Sequence, residues 1–173
     1  MDLKEYIASI PGFPKEGIIF RDVTPILQNA KAMRYCVNEF NAFTSEVNAD
    51  VVVAPEARGF LFGVSVALEN NLPFVPVRKP GKLPRKTIEQ TYDLEYGQDT
   101  LCMHEDAIKP GQRVVILDDL LATGGTVEAI VKMVERMGAV VAGVGFVIEL
   151  DDIKGRDKFK DIDICVLTHF EGE

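Results

Sequence analysis

An α/β fold with a mainly parallel sheet, flanked by helices on both faces, is the class this 173-residue sequence predicts. Three observations carry it. Short continuous apolar runs (VVVA, FVPV, VVIL) recur along the chain, as strands buried on both faces require. Segments with helical spacing separate them and supply the crossovers of a parallel sheet. The run at 114–126, VVILDDLLATGGT, passes from apolar residues into two carboxylates and a glycine-rich turn. Open parallel sheets bind ligands at such strand ends.

Taken in order, Leu3, Tyr6, Ile7 and Ile10 predict an opening helix that Pro11-Gly12 ends. GIIFRD, residues 17–22, is a short apolar stretch ending in charge. Asn29 is placed to cap a helix whose buried stripe includes Met33, Val37 and Phe40. Strands are expected at 50–55, 73–77 and 113–119, and helices at 59–70 and from 126 to about 137. Residues 139–150 and 163–168 are β-rich. Residues 78–99 hold Pro80, Gly81, Pro84 and Gly97 but keep no period, which predicts a lid. The lid opens with RKPGKLPRK, five basic residues in an acidic chain, a pattern that a solvated surface loop also allows.

Composition narrows the function. The length suits one domain with a core of its own, and a net charge of −8 argues against a nucleic-acid partner. No apolar run approaches the roughly 18 residues of a membrane span, and residues 1–10 lack the apolar centre of a signal peptide. Cys36, Cys102 and Cys165 are far apart, without a C-x-x-C pair, and His104 and His169 are isolated. That pattern favours reduced, packed thiols in a cytoplasmic protein over a metal cage or disulfides.

The chemistry concentrates at 118–126. Asp118 and Asp119 repel each other unless hydroxyl donors, water, amides or a cation compensate. Ala122, Thr123, Gly124, Gly125 and Thr126 let backbone N–H groups approach an anion at a helix start. No G-x-x-x-x-G-K-[ST] pattern is present, so the turn suits one phosphate monoester rather than a triphosphate. Carboxylates beside it suit a sugar diol. Together they indicate a pentose 5-phosphate.

The 114–126 string resembles the phosphoribosyl pyrophosphate (PRPP) signature of the type I phosphoribosyltransferases, and its L-L-A-T-G-G-T form resembles the adenine-specific branch. FPKEGIIFRDVTPIL, EARGFLFG, RKPGKLP and LEYG are similar to that family in the same order, so the resemblance spans nearly the whole chain. It implies the type I fold as a single domain, with a small N-terminal hood at 1–30 that binds the base and a mobile catalytic loop at 78–99. It implies transfer of phosphoribose from PRPP to adenine, giving AMP and pyrophosphate in purine salvage. Mg²⁺ would be bound mainly through the pyrophosphate, without a direct protein ligand, and the protein would be a homodimer.

The resemblance also assigns roles. Asp118 and Asp119 would face the ribose hydroxyls, and Ala122 to Thr126 the 5-phosphate. Arg58, Arg78, Lys79 and Lys82 would surround the pyrophosphate, some reaching a neighbouring subunit. Phe20 and Leu120 would sandwich the purine while backbone groups of Ile19 and Arg21 read its edge. From composition alone Phe20 reads as core, and Arg58 also allows a plain ion pair. Glu95, in LEYG, would handle the proton, and Tyr96 would help close the lid. Arg85-Lys86 stands where many relatives have Gly-Pro. Another purine base, or a non-catalytic PRPP-sensing regulator, is the alternative that FRD, LEYG and the acidic chain argue against.

Overall fold

The computed structural model describes residues 1–94 and 96–172. Five parallel strands form the central sheet in the order β4-β3-β7-β8-β9: β3 (Val51–Pro55), β4 (Phe74–Val77), β7 (Arg113–Leu121), β8 (Val140–Leu150) and β9 (Asp163–Phe170). Alternate side chains of these apolar strands feed two cores. Val52, Val115, Leu117 and Val147 face α2 (Ala30–Glu46) and α3 (Arg58–Glu69). Val51, Val53, Val114, Ile116 and Phe146 face α4 (Gly125–Arg136). Each such side chain removed from water contributes roughly 1.5–3 kcal/mol, which makes the two-sided sheet the stiff part of the molecule.

Helix α2 starts as its sequence requires: the Asn29 side chain accepts from the Lys31 and Ala32 amides at 3.1 and 3.0 Å. A short α1 (Thr24–Leu27) with proline in its first turn precedes it. The opening segment differs from expectation. Leu3–Tyr6 is a 3-10 turn, and Ala8–Pro11 is a strand (β1) pairing antiparallel with β2 (Ile19–Asp22). Leu3 and Ile7 are buried as the spacing implies, but Ile10 lies exposed opposite Phe20. Cross-strand pairing with the GIIFRD stretch outweighs a helical period only two turns long.

Residues 78–94 and 96–99 also take more regular structure than their composition implies. β5 (Thr87–Asp93) and β6 (Gln98–His104) form a hairpin, joined to the main body where Arg78 and Cys102 exchange backbone hydrogen bonds. Ile88 and Tyr92 pack on the α4 core, and Arg136 of α4 donates to the Glu89 carbonyl at 2.6 Å. An alternation with one buried side suffices for this hairpin, and the prolines before it mask that pattern in the sequence.

Candidate active site

The carboxyl ends of all five strands lie on one edge, and sheet topology opens a crevice there. β3 pairs with β7 only as far as Val53 opposite Ile116, whereas β8 follows β7 to Leu121 opposite Glu149. Strand order also reverses at this point, since successive connections lead from β3 to one edge and from β7 to the other. Asp118 and Asp119 occupy the stretch of β7 left free on its β3 side. Expected at the strand's end, they lie within it, because pairing to β8 carries β7 on to Leu121.

A cleft of about 200 Å³ results, lined by Arg58, Asp118, Asp119, Leu120, Ala122 to Val127 and Phe146. Asp119 is buried, and the Arg58 guanidinium donates to it at 2.5 Å. Asp118 opens onto the cleft and accepts from the Asp119 amide at 2.8 Å. The packed walls around it, and next the neighbouring Asp119 charge, push its carboxyl well above the usual range. Such a pair offers several oxygens to hydroxyl groups, and a neutral carboxyl can donate as well as accept. Gly59 lets α3 approach it, since a Cβ there would lie 3.1 Å from the Leu117 carbonyl and 3.2 Å from the Asp118 carboxylate.

Beyond the carboxylates the chain turns at Gly124, whose φ of +83° favours glycine, and α4 begins at Gly125. The free N–H groups of the helix's first turn aim at the cleft with its dipole behind them. Tyr92 of the hairpin covers this turn. Its hydroxyl lies 3.4 Å from the Thr126 hydroxyl and 3.3 Å from Asp99.

The basic segment is held by an acid that the sequence reading passed over. Glu56 accepts from the Lys79 amide at 2.8 Å and from Arg78 Nε at 3.1 Å. The amide bond first, then Arg78 and the Lys82 charge, hold its carboxyl below the usual range against the opposing effect of burial. The Glu56–Ala57 peptide bond is cis. The Lys79 ammonium pairs with Asp99 of β6. An acid between a strand end and Arg58, in PEARG, was the available signal. Arg85 and Lys86 pair with Asp106 and Glu105, so the extra charges are used at the hairpin's base.

The remaining residues form a looser ring. Phe20 lies 5.7 Å from the Arg58 guanidinium, measured to the ring centre, and packs edge-on against Phe13. Ile19 and Arg21 flank it on β2, with Arg21 stacked on Phe170 at 4.3 Å and bonded to Ser9. Tyr96 is 81% exposed at the hairpin tip, 6.0 Å from Lys15 of the N-terminal segment, and is not brought to the carboxylates. Glu95 lies outside the described residues.

This geometry has counterparts. A phosphoribosyl transferase domain matches residues 25–171. The structure is similar to adenine phosphoribosyltransferase from Thermoanaerobacter pseudethanolicus, with 49% identity, a TM-score of 0.94 and 98% of both chains covered. The chain belongs to the adenine phosphoribosyltransferases. The Rhodothermus marinus member is 43% identical, with a TM-score of 0.91 over 97% of this chain and 96% of that one. The Saccharomyces cerevisiae member, 39% identical with a TM-score of 0.91 over 96% and 97%, was solved with adenine and an imino-altritol bisphosphate.

The cysteines stand apart from this chemistry. All three are free, and burial pushes the Cys36 and Cys165 thiols up to about 12 and about 11. Cys36 and Cys165 pack as small hydrophobes, and the Cys102 thiol donates to Glu89 at 3.7 Å. Among the described residues no helix is long and apolar enough to cross a membrane.

Proposed function

We infer that this protein transfers the phosphoribosyl group of PRPP to N9 of adenine, forming AMP and pyrophosphate in purine salvage. The observation that carries this reading is the sharing of one crevice by the Asp118–Asp119 pair, the helix-start turn and Arg58. A diol acceptor, a phosphate cradle and a cation then meet in one crevice.

In this reading the amides of Ala122 to Thr126 hold the 5-phosphate, and Asp118 and Asp119 accept from the ribose hydroxyls. Phe20 and Leu120 flank the purine, and backbone groups of Ile19 and Arg21 distinguish its amino edge. The N9 lone pair forms the new bond to C1 as the C1–oxygen bond breaks, and the bonding electrons leave with pyrophosphate. Arg58, Arg78, Lys79 and Lys82 stabilise the departing charge, and the proton lost by the base passes to Glu95. The transition state is oxocarbenium-like, so positioning and water exclusion supply most of the acceleration. Residues 1–30 act as hood and residues 78–99 as the closing loop, with Tyr96 at its tip.

A cation that arrives on the substrate suits the cleft: Asp119 already pairs with the Arg58 guanidinium, and the remaining lone pairs of Asp118 serve hydroxyl groups. Mg²⁺ held by the pyrophosphate oxygens would supply charge neutralisation at the leaving group. A homodimer fits the exposed Leu61, Val64 and Leu68 on one face of α3, beside a groove of about 490 Å³ against α2. Free thiols suit the cytoplasm.

A PRPP-dependent assay with adenine, hypoxanthine, guanine and xanthine in parallel tests the reading. Adenine should be converted to AMP far faster than the oxo-purines. Equal turnover of an oxo-purine overturns the base assignment, and PRPP binding without turnover of any base indicates a sensor.

A further inference from the structure

We propose that Glu149 and Arg156 are positioning residues for the 5-phosphate site: their ion pair fixes the wall against which the 122–126 turn is built. The proposal rests on the phosphoribosyltransferase reading given above.

Strand β8 is apolar from Val140 to Leu150 except for Glu149, which is 2% exposed. A carboxylate in that setting demands a partner. Arg156 provides one through two parallel bonds, Nε to Oε1 at 2.7 Å and Nη2 to Oε2 at 2.5 Å. A bidentate fork fixes orientation as well as distance, and so anchors the Gly155–Phe159 segment that carries the arginine.

That segment touches the phosphate turn through its backbone. A Cβ on Gly155 would lie 2.1 Å from the Ala122 carbonyl oxygen, so only glycine permits the approach. In the other direction, a Cβ on Gly124 would lie 3.1 Å from the Gly155 carbonyl and 3.2 Å from the Phe159 ring. Phe159 is itself buried, 6.4 Å between ring centres from Phe146 of the cleft lining. Glu149 is the register partner of Leu121, the residue just before the turn. The ion pair is thus one strand away from the turn's first residue and holds the chain that backs it.

Backbone amides grip phosphate only if they are already aimed at it, so a wall that slackens should weaken phosphate binding without touching the substrate itself. His169 also approaches, with Nδ1 2.8 Å from Asp151 and 3.5 Å from Glu149. The three groups resemble a cation site. Arg156 excludes that use, because it occupies both Glu149 oxygens and brings its own positive charge.

Two variants test the wall separately. Arg156→Lys keeps the charge and gives up the fork, while Gly155→Ala drives a methyl group toward the Ala122 carbonyl and so moves the wall directly. For each, PRPP Kd is measured by calorimetry, adenine KM at saturating PRPP, and Tm by thermal denaturation. PRPP Kd should weaken about tenfold or more in both, as misplacement of a binding element predicts. Adenine KM should stay within about twofold of wild type, because most of the proposed base site, Ile19, Phe20 and Arg21, lies on β2. If Arg156→Lys does not fold, Glu149→Gln, which keeps the shape of the acid and gives up the charge of the pair, decides in its place. A folded variant with lowered Tm and unchanged PRPP Kd would reduce the pair to packing, and so would parallel losses for both substrates. Wild-type protein that binds no PRPP would instead overturn the phosphoribosyltransferase reading.

Discussion

The 122–126 turn and the basic segment are assigned to one reaction by the proposed function, but they are held in place by different forces. The turn grows out of β7, whose apolar side chains lie in two cores, and it is backed by Gly155 and Phe159. The basic segment is held by charge: Arg78 and Lys79 lean on Glu56, and Lys79 on Asp99, all at partly exposed positions. Apolar packing resists small perturbations, whereas partly exposed ion pairs are worth at most about 1 kcal/mol and weaken with salt. In the proposed function the ribose phosphate binds on the first and the second closes the site, which would give each part the rigidity its task needs.

The sharpest way to break the comparison is at Gly124. A valine there meets a φ of +83° and the Gly155 carbonyl together. PRPP affinity in Gly124→Val should fall by about 10²-fold or more, with Tm lowered by only a few degrees. Undiminished PRPP affinity in the folded variant would place the phosphate elsewhere. Glu95→Gln comes next and concerns the loop. It should slow the chemical step by about 10²-fold in single-turnover kinetics while PRPP affinity changes little. An unchanged chemical rate would leave Glu95 an ordinary loop acid.

Asp118 sharpens the comparison from the rigid side. Its carboxyl resists ionisation in the fold, so the folded state is penalised as pH rises from the ordinary carboxylate value through Asp118's raised one. Below both values the penalty vanishes. Asp118→Asn should therefore stabilise the unliganded protein near neutrality by about 1 kcal/mol, or roughly 2–4 °C in Tm. The gain should disappear in acid, and PRPP binding should weaken as an acceptor is lost. Equal Tm shifts at pH 4 and pH 7.5, roughly at and well above the ordinary aspartate value, would show that ionisation is not the cause.

The two regions were also unequally legible in the sequence. Strands β3, β7 and β8 and helices α2 and α4 announce themselves through continuous apolar runs, an Asn29 cap and a 3.6-residue period, because burial on both faces leaves no ambiguity. Asp118, Asp119 and the glycine turn were legible for the same reason: charge at the end of such a run is conspicuous. The hairpin was not, since its half-exposed alternation follows a stretch of prolines and lysines. Strand β1 was misread as helix because Leu3 and Ile7 satisfy either period and its partner lies across a turn. Glu56, Asp99 and Arg156 act through long-range ion pairs, and single-sequence spacing carries no record of those.

The smallest expected effect separates a waiting lid from a merely folded hairpin. Asp99 holds the Lys79 ammonium, and that bond keeps the Asp99 carboxyl below the usual range, with burial opposing it. If Lys79 serves pyrophosphate, Asp99 competes with the substrate for it. Asp99→Asn should then tighten PRPP binding about two- to threefold at low salt, since a partly exposed pair is worth less than about 1 kcal/mol. Tm should fall slightly at neutral pH, and that difference should shrink only in acid. A depressed carboxylate contributes its stability above the ordinary value and loses it as pH falls through the depressed one. At physiological ionic strength, where screening acts over about 8 Å, the affinity gain should fade. Weaker PRPP binding at low salt would mean that Asp99 orders Lys79 for the substrate rather than withholding it, and the hairpin would then belong with the rigid region.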